Sequence, residues 1–168
     1  MDGAGKTSLA EEIAQLLTKR GRPSVRVSLD FFERAPAERY ARGELSPEGY
    51  YFDAFGFERL HAHVLSIGGP PELVVVVDGI FLQRPELADL WDATVWVEAD
   101  LEAAAERARE RDSVRADSLE HELERYRLRY SPAQRRYIEE QRPRERATFV
   151  LHNTQLDEPE LVRQPRPR

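Results

Sequence analysis

The chain has 168 residues, a formal net charge of −6 at pH 7 and no cysteine. This length predicts one domain with a core large enough to be stable. The negative charge argues against a phosphate backbone as partner, so we expect no nucleic-acid binding. The lack of cysteine excludes disulfides and thiolate metal sites and is compatible with the reducing cytoplasm, where we expect the protein to act. No apolar run is long enough to span a bilayer, so we expect no membrane partner.

A phosphate-binding motif opens the chain. The P-loop pattern is G-x-x-x-x-G-K-[ST] between a strand and a helix, and Gly5, Lys6 and Thr7 supply its second half. Lys6 would reach the β- and γ-phosphates, and the Thr7 hydroxyl would ligate Mg²⁺. The alternative is the glycine-rich start of an ordinary helix, but only one other lysine occurs in the chain, which favours the P-loop. We assign these residues to nucleotide binding: Asp2, Gly3, Ala4, Gly5, Lys6, Thr7 and Ser8.

Predicted strands and helices alternate along the rest of the chain. In chain order we predict a helix at 8–20, a strand at 24–29, a helix at 57–65, a strand at 73–77, a short helix at 85–90, a strand at 94–97, helices at 101–112, 119–129 and 132–141, and a strand at 147–151. The two helices before 141 are expected to be interrupted at Ser131-Pro132. This alternation predicts an α/β domain with a mostly parallel sheet, over residues 1–156, and a polar tail that frays over residues 157–168.

Two aspartates follow predicted strands at the edge that carries the P-loop. Asp78 comes after the apolar run Val74–Val77, as in a Walker B strand, where a carboxylate helps to hold Mg²⁺. Asp30 ends an earlier strand and could accept the proton of an acceptor hydroxyl during phosphoryl transfer. Each could instead be an ordinary turn aspartate. The P-loop favours the functional interpretation of both.

Three further segments resemble uridine kinases and their bacterial uridine kinase-like relatives. The first is Pro47–Phe57, which resembles the acceptor-binding segment, and the second is Ser28–Phe32, which resembles the segment with the catalytic aspartate. The third is a C-terminal pattern formed by Arg129–Gln134 and Arg142–Ala147. The resemblance extends from the P-loop to about Asn153. It implies a P-loop kinase fold, with three α/β/α layers and a small helical lid near residues 105–118.

The resemblance also implies an activity: phosphorylation of the 5′-hydroxyl of a nucleoside such as uridine or cytidine, with ATP or GTP and Mg²⁺. Asp30 would then be the general base, Asp53 would bind the ribose hydroxyls, and Asn153 would border the base of the nucleotide. Phe32, Tyr51 and Phe55 would complete the acceptor site. The lid arginines would be Arg107, Arg111 and Arg115, and guanidinium suits phosphate because it donates two hydrogen bonds and stays charged. A homo-oligomer is compatible with the resemblance.

Other functions remain open from the residues alone. Another small hydroxylated acceptor, such as a sugar phosphate or a vitamin alcohol, would keep the same chemistry. A non-catalytic nucleotide-binding protein would agree with the incomplete P-loop, whose first glycine would fall just before Met1. In P-loop kinases the strand before the loop lies in mid-sheet, so without it segments 73–77 and 94–97 should face a gap. We therefore expect Met1 to be an internal methionine preceded by that strand.

Overall fold

The computed structural model describes residues 3–99, 119–155 and 158–165. Its α-helices are α1 (Lys6–Lys19), α2 (Pro36–Arg39), α3 (Phe57–Ser66), α4 (Leu119–Arg125), α5 (Ser131–Gln141) and α6 (Pro143–Arg146). Its strands are β1 (Ser24–Ser28), β2 (Val74–Asp78), β3 (Val95–Glu98), β4 (Phe149–His152) and β5 (Glu160–Arg163). Short 3-10 helices cover Leu29–Phe32 and Pro85–Leu90, and π-helices cover Gly49–Asp53 and Tyr126–Tyr130. Within these residues no helix has the length and apolar character needed to cross a membrane.

The strands form two groups. β1 pairs in parallel with β2, so that Ser28 lies opposite Asp78. β3 pairs in parallel with β4, and β5 pairs antiparallel with the other edge of β4. No ladder joins β2 to β3 in the described part of the chain, which confirms the gap expected between these two segments. The predicted α/β architecture with parallel strands is confirmed.

Helix α1 and strands β1 and β2 form where the sequence predicts them, within two residues. The apolar positions of α1 recur every three or four residues, and Ala10 on that face is buried. The four valines of β2 are partly buried, which is less than the full burial expected of a strand covered on both faces. These elements therefore follow directly from the hydrophobic pattern.

Two expectations near the C-terminus differ from the structure. No break occurs at Ser131-Pro132, because the chain passes through the π-helix Tyr126–Tyr130 directly into α5, whose first turn accommodates the proline. Part of the segment expected to fray pairs instead with β4, where Leu161 lies opposite Leu151. The predicted helix 101–112 and the lid region 105–118 lie outside the described residues.

An aromatic core joins the π-helix at Gly49–Asp53 to α5. The Phe81 ring, which follows β2, lies 5.5 Å from Tyr50, 5.2 Å from Tyr51 and 5.2 Å from Tyr137, measured between ring centroids. Edge-on arrangements of this kind are favourable for aromatic pairs. The core thereby fixes the segment that carries Asp53 beside the carboxyl end of β2.

Candidate active site

The P-loop backbone has the conformation that its glycines allow. Gly3 has φ 74° and Gly5 has φ 95°, both in the left-handed region. Between them Ala4 is completely buried, and α1 begins immediately afterwards at Lys6. The N–H groups and the partial positive charge of a helix N-terminus are suited to phosphate oxygens.

Asn153, which directly follows β4, fixes the P-loop by a hydrogen bond. Its Nδ2 donates a hydrogen bond of 2.8 Å to the carbonyl oxygen of Ala4, and its backbone N–H donates to Glu98. A Cβ on Gly5 would come within 2.6 Å of the same Nδ2 atom. A side chain at position 5 would therefore displace Asn153 and also strain the backbone. That Asn153 also borders the nucleotide base remains a prediction.

Asp78 is the buried acid at the centre of the site. Its side chain is 4% exposed, and its Oδ2 accepts a hydrogen bond of 3.0 Å from the Thr7 hydroxyl. Its Oδ1 accepts one of 2.8 Å from Nε of Arg26. The hydrogen bond to Asp78 is the main cause that raises the pKa of Arg26, against an opposing effect of burial. Each carboxylate oxygen of Asp78 thus has a hydrogen-bond partner.

Thr7 and Asp78 also fit a magnesium site. Hydroxyl and carboxylate oxygens are the ligands that Mg²⁺ prefers, and in kinase sites phosphates and waters usually complete its shell. Residues 3–99, 119–155 and 158–165 contain no cluster of three or more His, Asp or Glu suited to a metal.

Arg26 is a site residue that sequence analysis missed. It lies mid-strand between Val25 and Val27, and its side chain reaches Asp78 on the neighbouring strand and Glu11 on α1 at 3.0 Å. An arginine within a short apolar strand is unusual unless it is paired. The place of Arg26 within an apolar strand could have indicated a paired arginine. Its partner Asp78 could not be identified, because it is 52 residues away in sequence.

Asp30 lies just beyond the end of β1, in the 3-10 helix Leu29–Phe32. Ser28, the last residue of β1, lies opposite Asp78, which is hydrogen-bonded to Thr7. Asp30 follows Ser28 by two residues and is therefore at the same edge of the sheet as Thr7. Asp30 is exposed, and its charge also acts on Arg26. The next side chain, Phe31, is 83% exposed, which is unusual for a large apolar residue. An acid and an aromatic ring thus stand in solvent beside the phosphate-binding edge.

The backbone after Asp30 is held against the second half of the expected acceptor segment. Gly56 N–H donates to the Phe32 carbonyl at 2.8 Å, and Arg34 N–H donates to the Ala54 carbonyl at 2.9 Å. The Phe32 ring is half-buried and the Phe55 ring is 3% exposed, so both belong to the wall of the core. These bonds bring the two segments expected to contact an acceptor together.

Asp53 and Tyr51 lie two residues apart in a π-helix and make different contacts. Asp53 Oδ2 accepts a hydrogen bond of 2.6 Å from Nε of Arg42, at an open cleft also lined by Arg34 and Phe52. Tyr51 is 2% exposed, and its hydroxyl donates to Glu140 at 3.1 Å. Burial raises the pKa of Tyr51, so this hydroxyl stays protonated. Asp53 is therefore the more accessible of the two.

Arg129 is a second residue that sequence analysis did not single out as functional. It is 1% exposed and donates to the carbonyl oxygens of Arg39 at 3.0 Å, Glu44 at 2.9 Å and Ser46 at 3.1 Å. Its guanidinium also lies 5.4 Å from the centre of the Tyr50 ring. Desolvation lowers the pKa of Arg129, although guanidinium remains charged at neutral pH. Arg129 therefore fixes the loop that carries Arg42.

The remaining expected residues are distributed as follows. Lys6 is half-buried at the first position of α1, and Thr7 and Ser8 are exposed on its first turn. Asp2, Arg107, Arg111 and Arg115 lie outside the described residues.

Comparison with solved structures identifies the fold. A possible uridine kinase from Bacillus stearothermophilus superposes with a TM-score of 0.67 at 20% identity, over 88% of this chain and 82% of that one. A candidate fructose transport system kinase from a Silicibacter species superposes with a TM-score of 0.64 at 18% identity, over 81% and 80% of the two chains. The fold is that of P-loop kinases. No protein-family model and no curated protein matches the sequence.

Proposed function

We propose that this protein transfers the γ-phosphoryl group of a nucleoside triphosphate to a hydroxyl of a small acceptor. The donor is ATP, with GTP as the alternative. The acceptor is a nucleoside of the uridine or cytidine type. The observation that carries the proposal is the 3.0 Å hydrogen bond between Thr7 and Asp78, with Asp30 on the same sheet edge. A P-loop hydroxyl, a buried acid and an exposed acid are the parts that phosphoryl transfer requires of a protein.

On the donor side, the loop amides and Lys6 would bind the β- and γ-phosphates. Thr7 and Asp78 would hold Mg²⁺, which when bound neutralises charge that develops on the phosphate oxygens. Arg107, Arg111 and Arg115 would add positive charge to the same oxygens. These residues bind and orient the phosphates, and such positioning supplies most of the catalysis of phosphoryl transfer.

On the acceptor side, Asp30 would accept the proton of the attacking hydroxyl. The hydroxyl oxygen forms a bond to the γ-phosphorus, the bond from that phosphorus to the bridging oxygen breaks, and the nucleoside diphosphate leaves. Asp53 would bind neighbouring hydroxyls of the acceptor. Phe32, Tyr51 and Phe55 would support the wall on which the acceptor rests.

A phosphorylated sugar is a second candidate acceptor, favoured by Arg42. In a nucleoside site Arg42 would compete with the ribose hydroxyls for the Asp53 carboxylate. A phosphorylated acceptor would instead bring an anion to which Arg42 and Arg34 could turn. The two candidates therefore require opposite roles of Arg42.

The deciding experiment measures ADP release from Mg-ATP with a panel of nucleosides, sugar phosphates and vitamin alcohols. Release stimulated by uridine or cytidine supports the nucleoside kinase, and release stimulated by a sugar phosphate supports the second candidate. ATP binding without stimulation by any acceptor in the panel would contradict the kinase proposal and favour a nucleotide-binding protein.

A further inference from the structure

Arg26 places a positive charge in the middle of a short apolar strand. It lies between Val25 and Val27 in β1 and directly opposite Val76 of β2. Its side chain extends diagonally across the two strands to Asp78, which shares a face of β2 with Val76 because side chains alternate between the faces. Partial burial of a guanidinium is costly unless the group is paired. An arginine at this position therefore indicates a specific pairing with Asp78.

The pair belongs to a continuous chain of hydrogen bonds that runs from the solvent to the P-loop. Arg26 donates from Nη1 to Glu11 of α1 at 3.0 Å and from Nε to Oδ1 of Asp78 at 2.8 Å. The Thr7 hydroxyl donates to Oδ2 of the same Asp78 at 3.0 Å. The exposed fraction of the side chain falls along this chain from 52% for Glu11 to 28% for Arg26 and 4% for Asp78. A surface acid thus holds the cation that compensates the buried acid.

The simplest explanation of the pair is an ion pair that only ties two strands together. Its location argues for more, because Asp78 and Thr7 are also the residues that fit Mg²⁺. Two cations on one carboxylate repel each other, and the attraction of the carboxylate is shared between them. A carboxylate that is already paired with a guanidinium therefore attracts a lone metal ion less than an unpaired carboxylate does.

The phosphates of a nucleotide change this balance. At equal distance, one phosphate charge attracts Mg²⁺ as strongly as one guanidinium repels it. A triphosphate carries several such charges, and magnesium sites in kinases combine one or two carboxylates with substrate phosphates. The repulsion from Arg26 is therefore decisive for Mg²⁺ alone and minor for Mg²⁺ that is bound to a nucleotide.

We propose that Arg26 is the resident counter-ion of Asp78, which suppresses binding of Mg²⁺ alone and reserves the site for Mg²⁺ accompanied by nucleotide phosphates. The inference rests on the proposed function, since it takes Thr7 and Asp78 as the metal ligands. Arg26 acts through Asp78 and is therefore a positioning residue. Its side chain also stabilises the buried carboxylate before a nucleotide binds.

The test measures the Tm of nucleotide-free protein with MgCl₂ and with NaCl at equal ionic strength. Arg26→Met keeps the length of the side chain but removes its charge. We expect its Tm to fall by roughly 5–10 °C, because breaking a buried ion pair is strongly destabilising and Arg26 is partly exposed. About 10 mM Mg²⁺ should raise the Tm of this variant by at least about 3 °C, since the ion replaces the lost charge. The wild-type Tm should change by less than about 1 °C.

Three further variants connect the response to the pair. Glu11→Gln removes only the outer partner of Arg26, and Arg26→Lys keeps a positive charge, so neither should respond to Mg²⁺ more than the wild type. Arg26→Met combined with Asp78→Asn removes the carboxylate as well, and the response should disappear. An arginine with a purely structural role would lower Tm when replaced, but its loss would produce no response to Mg²⁺.

Two outcomes would overturn the proposal: a Tm of Arg26→Met that does not recover in Mg²⁺, and a wild-type protein that Mg²⁺ alone stabilises as strongly as the variant. If Arg26→Met does not fold, Arg26→Gln, whose amide can still donate to Asp78, is measured in the same way. Titration of the wild type with ATP in Mg²⁺ and in EDTA tests the proposed function separately. A Mg²⁺ response of Arg26→Met in a protein that does not bind ATP would support the counter-ion role and contradict the nucleotide site.

Discussion

The phosphate-binding edge and the acceptor-side segment, Leu29–Phe57, are held by different kinds of contact. At the phosphate edge, backbone geometry and buried side chains hold the P-loop in place. Gly5 has a left-handed conformation, and Asn153 donates a hydrogen bond of 2.8 Å to the loop. On the acceptor side, the buried Arg129 and the aromatic core hold the backbone, and charged pairs at the surface, among them Arg42 with Asp53, lie over this frame. Buried, geometrically constrained contacts tolerate little change, whereas exposed pairs can be rearranged at small cost. The donor site therefore depends on constrained buried contacts, whereas on the acceptor side only the exposed pairs can be rearranged at small cost.

The largest expected effect belongs to Asp30, which connects the two regions. Replacement by asparagine removes the proposed proton acceptor, so we expect kcat to fall by about 10²–10⁴-fold, the usual contribution of general-base catalysis. ATP affinity should stay the same, because the phosphate-binding loop is untouched. Steady-state kinetics with the acceptor found by the ADP-release panel, together with ATP titration, measure both.

Asp92→Asn is the matched control for Asp30→Asn. It makes the same chemical change at an exposed position just before β3, at the opposite end of the sheet. It should leave kcat unaltered. Normal turnover by Asp30→Asn would show that Asp30 is not the base.

The next largest effect concerns Arg129 and the rigidity of the acceptor side. Arg129→Met keeps a long side chain but leaves the carbonyl oxygens of Arg39, Glu44 and Ser46 without their buried donor. We expect a loss of roughly 4 kcal/mol in the free energy of unfolding, since each unsatisfied buried group costs about 1–3 kcal/mol. Urea denaturation measures it. Arg127→Met, at an exposed position of the same π-helix, should change stability by less than about 0.5 kcal/mol. Equal effects of the two variants would contradict the role given to Arg129.

A matched pair of glycines separates backbone strain from packing at the phosphate edge. Gly5 and Gly21 both have positive φ, 95° and 69°, but only at Gly5 would a Cβ meet another side chain, Asn153. Alanine at either position should cost about 1–2 kcal/mol of strain. Gly5→Ala should cost about 1 kcal/mol more, because Asn153 must give up its bond to Ala4. Only Gly5→Ala should weaken ATP binding, as measured by titration. Equal costs and unchanged binding would mean that Asn153 does not fix the loop.

The sequence predicts the elements of this molecule better than their contacts. α1 and β2 could be predicted because their apolar residues recur with helical spacing or form one continuous run. The chain's passage through a π-helix into α5 could not, because proline is compatible with both a break and a first helical turn. β5 could not be predicted either, since its four residues become a strand only against the edge of β4.

Of the contacts in the candidate site, some could be predicted from the sequence and others could not. Thr7 and Asp78 could be paired from the sequence, because a P-loop and a strand-ending acid have a known spatial relation. The contacts of Arg26, Arg129 and Asn153 could not, because their partners lie 52, 85 and 149 residues away. No local spacing encodes such pairs. They depend on how the strands and helices pack.

The smallest effect distinguishes the two acceptors. Arg42 and Asp53 are partly exposed, so their ion pair is worth about 0.2–1 kcal/mol. Arg42→Ala should therefore lower the free energy of unfolding no more than the control Arg20→Ala, which changes an exposed arginine. If the acceptor is a nucleoside, release of Asp53 should lower KM by up to about fivefold, the equivalent of that energy. If the acceptor is a phosphorylated sugar, loss of the Arg42 guanidinium should raise KM. Arg42→Lys, which keeps a positive charge, should raise KM less than Arg42→Ala does. Acceptor kinetics at saturating ATP measure the sign. An unchanged KM would show that the cleft beside Asp53 does not bind the acceptor.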